Sequence, residues 1–180
     1  MHRESTSSID YATRGKGADV LLLAKNLLFT LLVPGTVGVY LPLLIARRSG
    51  DVLALIWNLR QVVALAPLSI GISIYLWCVW HFAVTGRGTP APIDGPKRIV
   101  TLGLYRYVRN PMYVGVLLVI AGWSLFFGSW DLAGYGVLVG AGFHLFVVGV
   151  EEPQLRRRFG DSYDVYCWST PRWIPKSVGR

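Results

Sequence analysis

Four stretches of the chain are free of Asp, Glu, Lys and Arg over the length of a membrane crossing: Asn26 to Ala46, Gln61 to Gly86, Asn110 to Trp130 and Leu132 to Val150. A helix needs about 20 apolar residues to traverse the hydrocarbon core of a bilayer, so the pattern predicts an all-α polytopic membrane bundle of about four transmembrane helices. The first apolar run begins near Ala18 and contains Lys25, whose charge can snorkel to the headgroups from a helix end. It reads as one span, broken or kinked at Pro34-Gly35; two shorter passes are the alternative and would reverse the N-terminus. Residues 1–17 then form an N-terminal cytoplasmic segment and residues 18–180 a single integral membrane domain. The turn at Ser129 to Asp131 makes the last two spans a tight C-terminal helical hairpin. Gly136 and Gly140 at small-xxx-small spacing, with Gly122, Gly134 and Gly142 nearby, predict that the hairpin helices approach closely.

Charge orients these spans. Of the 18 Lys and Arg residues, four precede the first span, five lie in the connector from Arg87 to Arg109 and six follow Val150, against three (Arg47, Arg48, Arg60) in the loop after the first span. Basic residues are retained on the cytoplasmic side, so 15 of 18 assign both termini, the connector and the tail to the cytoplasm. Composition agrees: 53% of residues are apolar and only 16% charged, against roughly 45–50% and 25% in soluble domains. Orientation therefore accounts for the net charge of +8, and no nucleic-acid partner is expected. The polar start also differs from a cleaved signal peptide, which opens with a short basic region. Cys78 and Cys167 have neither disulfide-framework nor zinc-ligand spacing, and no metal is expected.

Polar chemistry gathers in two segments that abut the hairpin. In the connector, Gly86-Arg87-Gly88 formally begins a dinucleotide fingerprint. That motif must follow a strand and open a helix, whereas here it follows a membrane span, and Pro90, Pro92 and Pro96 forbid the helix. A glycine loop able to approach a ligand closely remains. Asn110-Pro111 is a helix start, Asn as N-cap and Pro at the first position, and such an N-terminus also attracts carboxylate or phosphate. Arg106 and Arg109 flank it, with Tyr105, Tyr107 and Tyr113 nearby; Tyr107 reads as a residue of the interfacial aromatic belt. In the tail, Glu151 and Glu152 sit where the last span meets water, before Pro153, which is expected to break or restart the helix. The pair either offsets Arg156, Arg157 and Arg158 or binds a cation or ribose hydroxyls. His144 lies two helical turns before Glu151, and an ionisable residue inside a span is expected to face the bundle interior and to be functional. His81 reads as interfacial. Gly160 reads as a helix stop, followed by Asp161 as N-cap and Asp164 at the acidic third position of a short interfacial helix.

The connector GLYRYVRNPMY and the tail EEPQLRRRFGDSYDVY resemble the isoprenylcysteine carboxyl methyltransferase family and, more broadly, its relatives the phospholipid N-methyltransferases. The resemblance covers residues 80–175 and has the character of a bacterial-type member. It implies a membrane enzyme that uses S-adenosyl-L-methionine in a pocket facing the cytoplasm, roofed by the connector and the tail; the compact tail and the absence of organelle signals lead to the expectation of a bacterial inner membrane. A lipid-like or prenylated acceptor would enter that pocket from the bilayer. The cofactor-binding positions it implies are Gly86, Gly88, Leu104, Tyr105, Arg109, Asn110, Tyr113, Glu151 and Glu152. Its family motif Arg-His-Pro-x-Tyr falls on Arg109 to Tyr113, with Asn110 in place of histidine; asparagine donates a hydrogen bond but carries no charge. The last span has His144 where eukaryotic members have arginines. Arg109, His144 and Glu152 are the candidate catalytic residues, and His144, Glu151 and Glu152 the candidate proton receivers for an amine or hydroxyl acceptor; a carboxylate or thiolate would need none. The alternatives are an NADPH-dependent membrane reductase of sterols or polyprenoids, with Arg156 to Arg158 at a phosphate, and a non-catalytic lipid-binding membrane protein.

Overall fold

The computed structural model describes residues 28–50, 57–81, 99 and 101–175. Within them the chain forms α1 (Leu28–Arg48), α2 (Leu59–His81), α3 (Pro111–Phe127), α4 (Trp130–Phe159) and α5 (Asp161–Ser169), with a 3₁₀ turn at Gly103–Arg106 ahead of α3. Helices α1, α2 and α4 are long and apolar enough to cross a membrane. The 17-residue α3 is equally apolar and stands at the short end of the spanning range. The all-α bundle with a C-terminal hairpin follows the hydropathy pattern.

The prolines change the helix type without ending the spans: the first run is one element, as expected, and at Pro153 the α-helical ladder restarts after a π-helical turn. Helix α1 runs past Pro34-Gly35 as one element, and α4 runs through Pro153. In both, the proline that matters lies just past a π-helical turn: Thr36–Tyr40 before Pro42, and Val147–Glu151 before Pro153. A helical proline has no N–H to give and its ring collides with the carbonyl four residues back. Here that residue is a glycine in both cases, Gly38 and Gly149, and the widened turn reaches back five residues instead, from the Leu41 N–H to the Thr36 carbonyl and from the Glu152 N–H to the Val147 carbonyl. In α1 this leaves the Val37 and Gly38 carbonyls in need of other donors. Tyr135 Oη donates to the first at 2.9 Å and Trp123 Nε1 to the second at 3.1 Å. The backbone defect becomes the dock that ties α1 to α3 and α4.

The closest helix approach is between α2 and α3, not within the hairpin. A Cβ at Gly71 would lie 2.6 Å from the Gly115 carbonyl oxygen, and one at Gly122 would lie 2.6 Å from Leu68 Cγ. Within the hairpin, a Cβ at Gly136 would come within 3.2 Å of Ile120 Cγ2, a close approach as expected, but one at Gly140 would reach Leu117 at an ordinary 3.6 Å, and those at Gly134 and Gly142 would meet nothing within 4 Å. The hairpin is instead splayed near its turn, where Leu125, Ala133 and Val137 border a groove of about 580 Å³. The turn itself is closed by Gly128 in the left-handed region (φ 68°), a common helix ending. The Arg60 guanidinium packs against Gly128. It therefore lies at the negative end of the α3 dipole, which gives a structural reason for an arginine on the side disfavoured by charge orientation. Ser49 Oγ donates to Asp131 Oδ2 at 2.8 Å, joining the end of α1 to the start of α4 on that same side.

Gly71→Ala is expected to cost about 1–3 kcal/mol through the overpacked α2–α3 crossing, lowering the apparent melting temperature in detergent by several degrees. Gly134→Ala, with open space at its Cβ, should be neutral or gain up to about 1 kcal/mol of helix propensity. Thermal unfolding of the two variants side by side checks the assignment of the tight interface.

Candidate functional site

At the end of the bundle opposite the Ser49–Asp131 contact, the start of α3, the last third of α4 and the tail after α5 converge. Asn110 occupies the N-cap position of α3 and Pro111 the first helical position, yet the Asn110 side chain makes no capping hydrogen bond. The Asn110 side chain is buried and donates through Nδ2 to the Arg172 carbonyl at 3.2 Å. The Arg109 N–H donates to the Pro171 carbonyl at 2.9 Å. Two consecutive residues at the mouth of α3 are thus bound to two consecutive carbonyls of the tail, which lies across the helix entry like a strap. Beneath it, Tyr166 Oη donates to the Tyr105 carbonyl at 2.7 Å, fastening α5 to the 3₁₀ turn. Burial holds the phenols of Tyr105 and Tyr166 above their ordinary pKa, so both stay neutral.

A buried carboxylate organises the convergence. Glu152, 4% exposed, accepts from Arg172 Nε at 2.7 Å and Arg172 Nη2 at 2.9 Å, a two-pronged geometry that only a guanidinium offers. Arg109 Nη1 lies 3.1 Å from the same carboxylate and 2.7 Å from Cys167 Sγ. The hydrogen bond to Glu152 holds the Arg172 pKa above its ordinary value. Glu151, turned aside by the π-helical turn, accepts from Tyr113 Oη at 2.8 Å. Tyr113 packs against Phe143 with ring centroids 4.7 Å apart and against Trp173 at 6.4 Å. Trp173 Nε1 in turn donates to His144 Nδ1 at 3.2 Å.

Of the residues singled out from the sequence, Arg109, Asn110, Tyr113, His144, Glu151 and Glu152 gather here. Leu104 and Tyr105 are close by in sequence but pack with Cys78 and Met112 in a small apolar cluster. Gly86 and Gly88 lie outside the described residues. His144 does not face the bundle interior; it stands on the exposed side of α4, where Trp173 of the tail donates to it, and the wide turn at Val147–Glu151 lies between it and Glu151. The predicted start of the short helix also shifts by one residue: Gly160 (φ 54°) stands at the N-cap of α5, Asp161 is already helical, and Asp164 pairs with Arg156 at 2.9 Å on the surface. His81 packs on Gly103, where a Cβ would come within 2.8 Å of its Nε2. Arg172, Trp173 and Cys167 enter the site unforeseen. The only sequence signal for them is their position inside the stretch that carries the family resemblance.

Comparison with known proteins bears on the same stretch. The family model for phospholipid methyltransferases matches residues 59–162, from the start of α2 to the start of α5. The protein-S-isoprenylcysteine O-methyltransferase of Schizosaccharomyces pombe is 36% identical over 77 residues, which cover 43% of this chain and 33% of that protein. The matched stretch thus spans a third of the relative's length.

Removing one partner of a buried ion pair leaves the others uncompensated and commonly costs about 3–5 kcal/mol. Glu152→Gln, nearly isosteric, should therefore lower the melting temperature sharply and expose Arg172 to trypsin. Asp164→Asn, which breaks only the exposed pair with Arg156, should cost under about 1 kcal/mol. Limited proteolysis and thermal unfolding of both variants test whether the tail is anchored through Glu152.

Proposed function

Since the chain belongs to the phospholipid methyltransferase family, we propose that it is an integral membrane methyltransferase that takes S-adenosylmethionine at the mouth of α3 and methylates a lipophilic acceptor from the bilayer. The observation that carries the reading is the Tyr113–Glu151 hydrogen bond of 2.8 Å, which joins the two motifs of the family resemblance across 38 residues. The donor set suits the cofactor. Arg109 Nε is buried with no hydrogen-bond partner among the described residues, a donor that a carboxylate or ribose oxygen would satisfy. The first-turn N–H groups of α3, uncapped by the Asn110 side chain, favour the same negative end. Glu151 offers a carboxylate to the positive end. Gly86 and Gly88, from the connector, would let backbone approach the adenosine part closely.

The bound cofactor supplies a methyl group on a sulfonium, transferred by in-line displacement. What the protein contributes is alignment, worth up to about 7–11 kcal/mol in well-oriented systems, and exclusion of water. Arg109 orients the cofactor or the acceptor head. Glu152, with both oxygens held by Arg172, acts by fixing Arg109 rather than by taking a proton. The name of the yeast relative favours a prenylated cysteine carboxylate as acceptor, and a carboxylate needs no general base. The site faces the cytoplasm of a bacterial inner membrane, as the basic residues at this end favour.

Calorimetry of the detergent-purified protein tests the reading. S-adenosylhomocysteine should bind, and Glu151→Ala and Tyr113→Phe should weaken it by about tenfold, in line with the loss of one hydrogen bond to a charged group. Binding of NADPH without S-adenosylhomocysteine would instead make the chain a reductase. Orientation is tested separately: in a Cys167→Ser background, Arg48→Cys and Asp161→Cys should react with impermeant maleimide from opposite sides of sealed vesicles, Asp161→Cys from the cytoplasmic side.

A further inference from the structure

His144 and Trp173 form a pair whose chemistry is more specific than packing. The indole N–H of Trp173 donates to Nδ1 of His144 at 3.2 Å, with ring centroids 6.2 Å apart. An imidazole nitrogen that accepts a hydrogen bond carries no proton, so in the neutral ring the proton resides on Nε2. Trp173 has little freedom to leave. The residue before it is clamped to Glu152 by two hydrogen bonds and to Asn110 by a third, and its own ring rests beside Tyr113. His144 stands on the side of α4 where Leu145 and Val148 are also exposed, and because α4 is long and apolar enough to cross a membrane, this side would meet lipid in a bilayer. In such apolar surroundings a hydrogen bond is stronger and an unpaired donor or acceptor costs more.

The geometry points to Trp173 as a positioning residue that holds His144 in the Nε2–H form. His144 then meets a molecule approaching along the lipid-facing side of α4 as a hydrogen-bond donor, not as a base. The identity of that molecule as the methyl acceptor rests on the proposed function; the tautomer does not. A donor at this point suits an acceptor head that presents an oxygen or sulfur lone pair. It also removes His144 from the groups able to receive a proton, since its only basic nitrogen is occupied by Trp173.

Full-length protein labelled with ¹⁵N-histidine in detergent micelles reports the tautomer directly, with the His144 signals identified by their loss in His144→Gln. The expected native spectrum has a protonated, pyrrole-type Nε2 and an unprotonated, pyridine-type Nδ1. Trp173→Phe keeps an aromatic side chain beside Tyr113 and removes the N–H, so the two signals should move toward each other as the tautomers exchange. In a methyl-transfer assay on a bilayer lipid fraction, the same variant should lose turnover several-fold at unchanged KM for the cofactor. A native Nδ1–H tautomer, or a Trp173→Phe spectrum identical to the native one, would overturn the assignment, and the native spectrum decides it even should the variant not fold. Full turnover in a variant whose tautomer is released would overturn the role toward the acceptor. Failure of the native protein to bind S-adenosylhomocysteine would count against the methyltransferase reading alone.

Discussion

The carboxylate of Glu152 is the point on which this end of the molecule depends. It is buried, so its charge is tolerated only with partners of opposite sign and well-formed hydrogen bonds. Arg172 supplies two bonds and Arg109 a close second charge. These three residues come from the tail, the entry of α3 and the last third of α4, elements with no backbone continuity at this point. Satisfying one charge therefore forces three parts of the chain to one place. The strap of carbonyls from Pro171 and Arg172 over Arg109 and Asn110 follows from that anchoring, as does the position of Trp173.

The backbone makes the arrangement possible through a device used twice. A proline with a glycine four residues before it sits beyond a π-helical turn in α1 and again in α4. Such turns recur at functional sites, and here each has a distinct use. In α1 the freed carbonyls of Val37 and Gly38 receive side-chain donors from α4 and α3, so the defect serves assembly. In α4 the turn ends at Glu151 and aims two adjacent carboxylates at different partners, Glu151 at Tyr113 and Glu152 at the arginines.

Much of the architecture was legible because the bilayer imposes a length on apolar helices; windows without charge marked all four long helices within a few residues, α4 apart, which continues past Val150. Proline marked where the α-helical ladder is interrupted, but not that the helix continues as one element. The rule that it ends a helix assumes a fixed four-residue ladder, and the π-helical turn at Val147–Glu151 relaxes that assumption. Glycine spacing was legible as a small-residue stripe but not as a partner: Gly71 and Gly115, which the hairpin pattern passed over, make the tight crossing, while Gly134 and Gly142 face open space. At the site, local chemistry singled out the Glu151-Glu152 pair and the arginines beside the start of α3, whereas Tyr113 was marked only by the motif of the family resemblance. Arg172, Trp173 and Cys167 were not legible, because their contacts span 20 to 62 residues and nothing in the local pattern distinguishes them from an ordinary polar tail.

The charge balance of the cluster carries a final consequence. Arg109 and Arg172 contribute two positive charges, and Glu151 and Glu152, when ionised, two negative ones, so the group as a whole is neutral. It is nonetheless polarised, since Arg172 and Arg109 are both drawn to Glu152, while Glu151 is held by a neutral phenol. One side of the site therefore presents a carboxylate without a bound cation among the described residues, and the other an arginine whose Nε lacks a partner there. A ligand that is itself neutral overall would gain little from such an array unless its own charges were separated by a similar distance. A ligand with a cationic centre at one end and a carboxylate at the other would meet the Glu151 carboxylate, which holds no cation among the described residues, and the unpartnered Arg109 Nε at once, and away from water such contacts are stronger than in solution. The polarity arises from assigning the two adjacent glutamates to partners of different charge, which is the work of the single wide turn in α4.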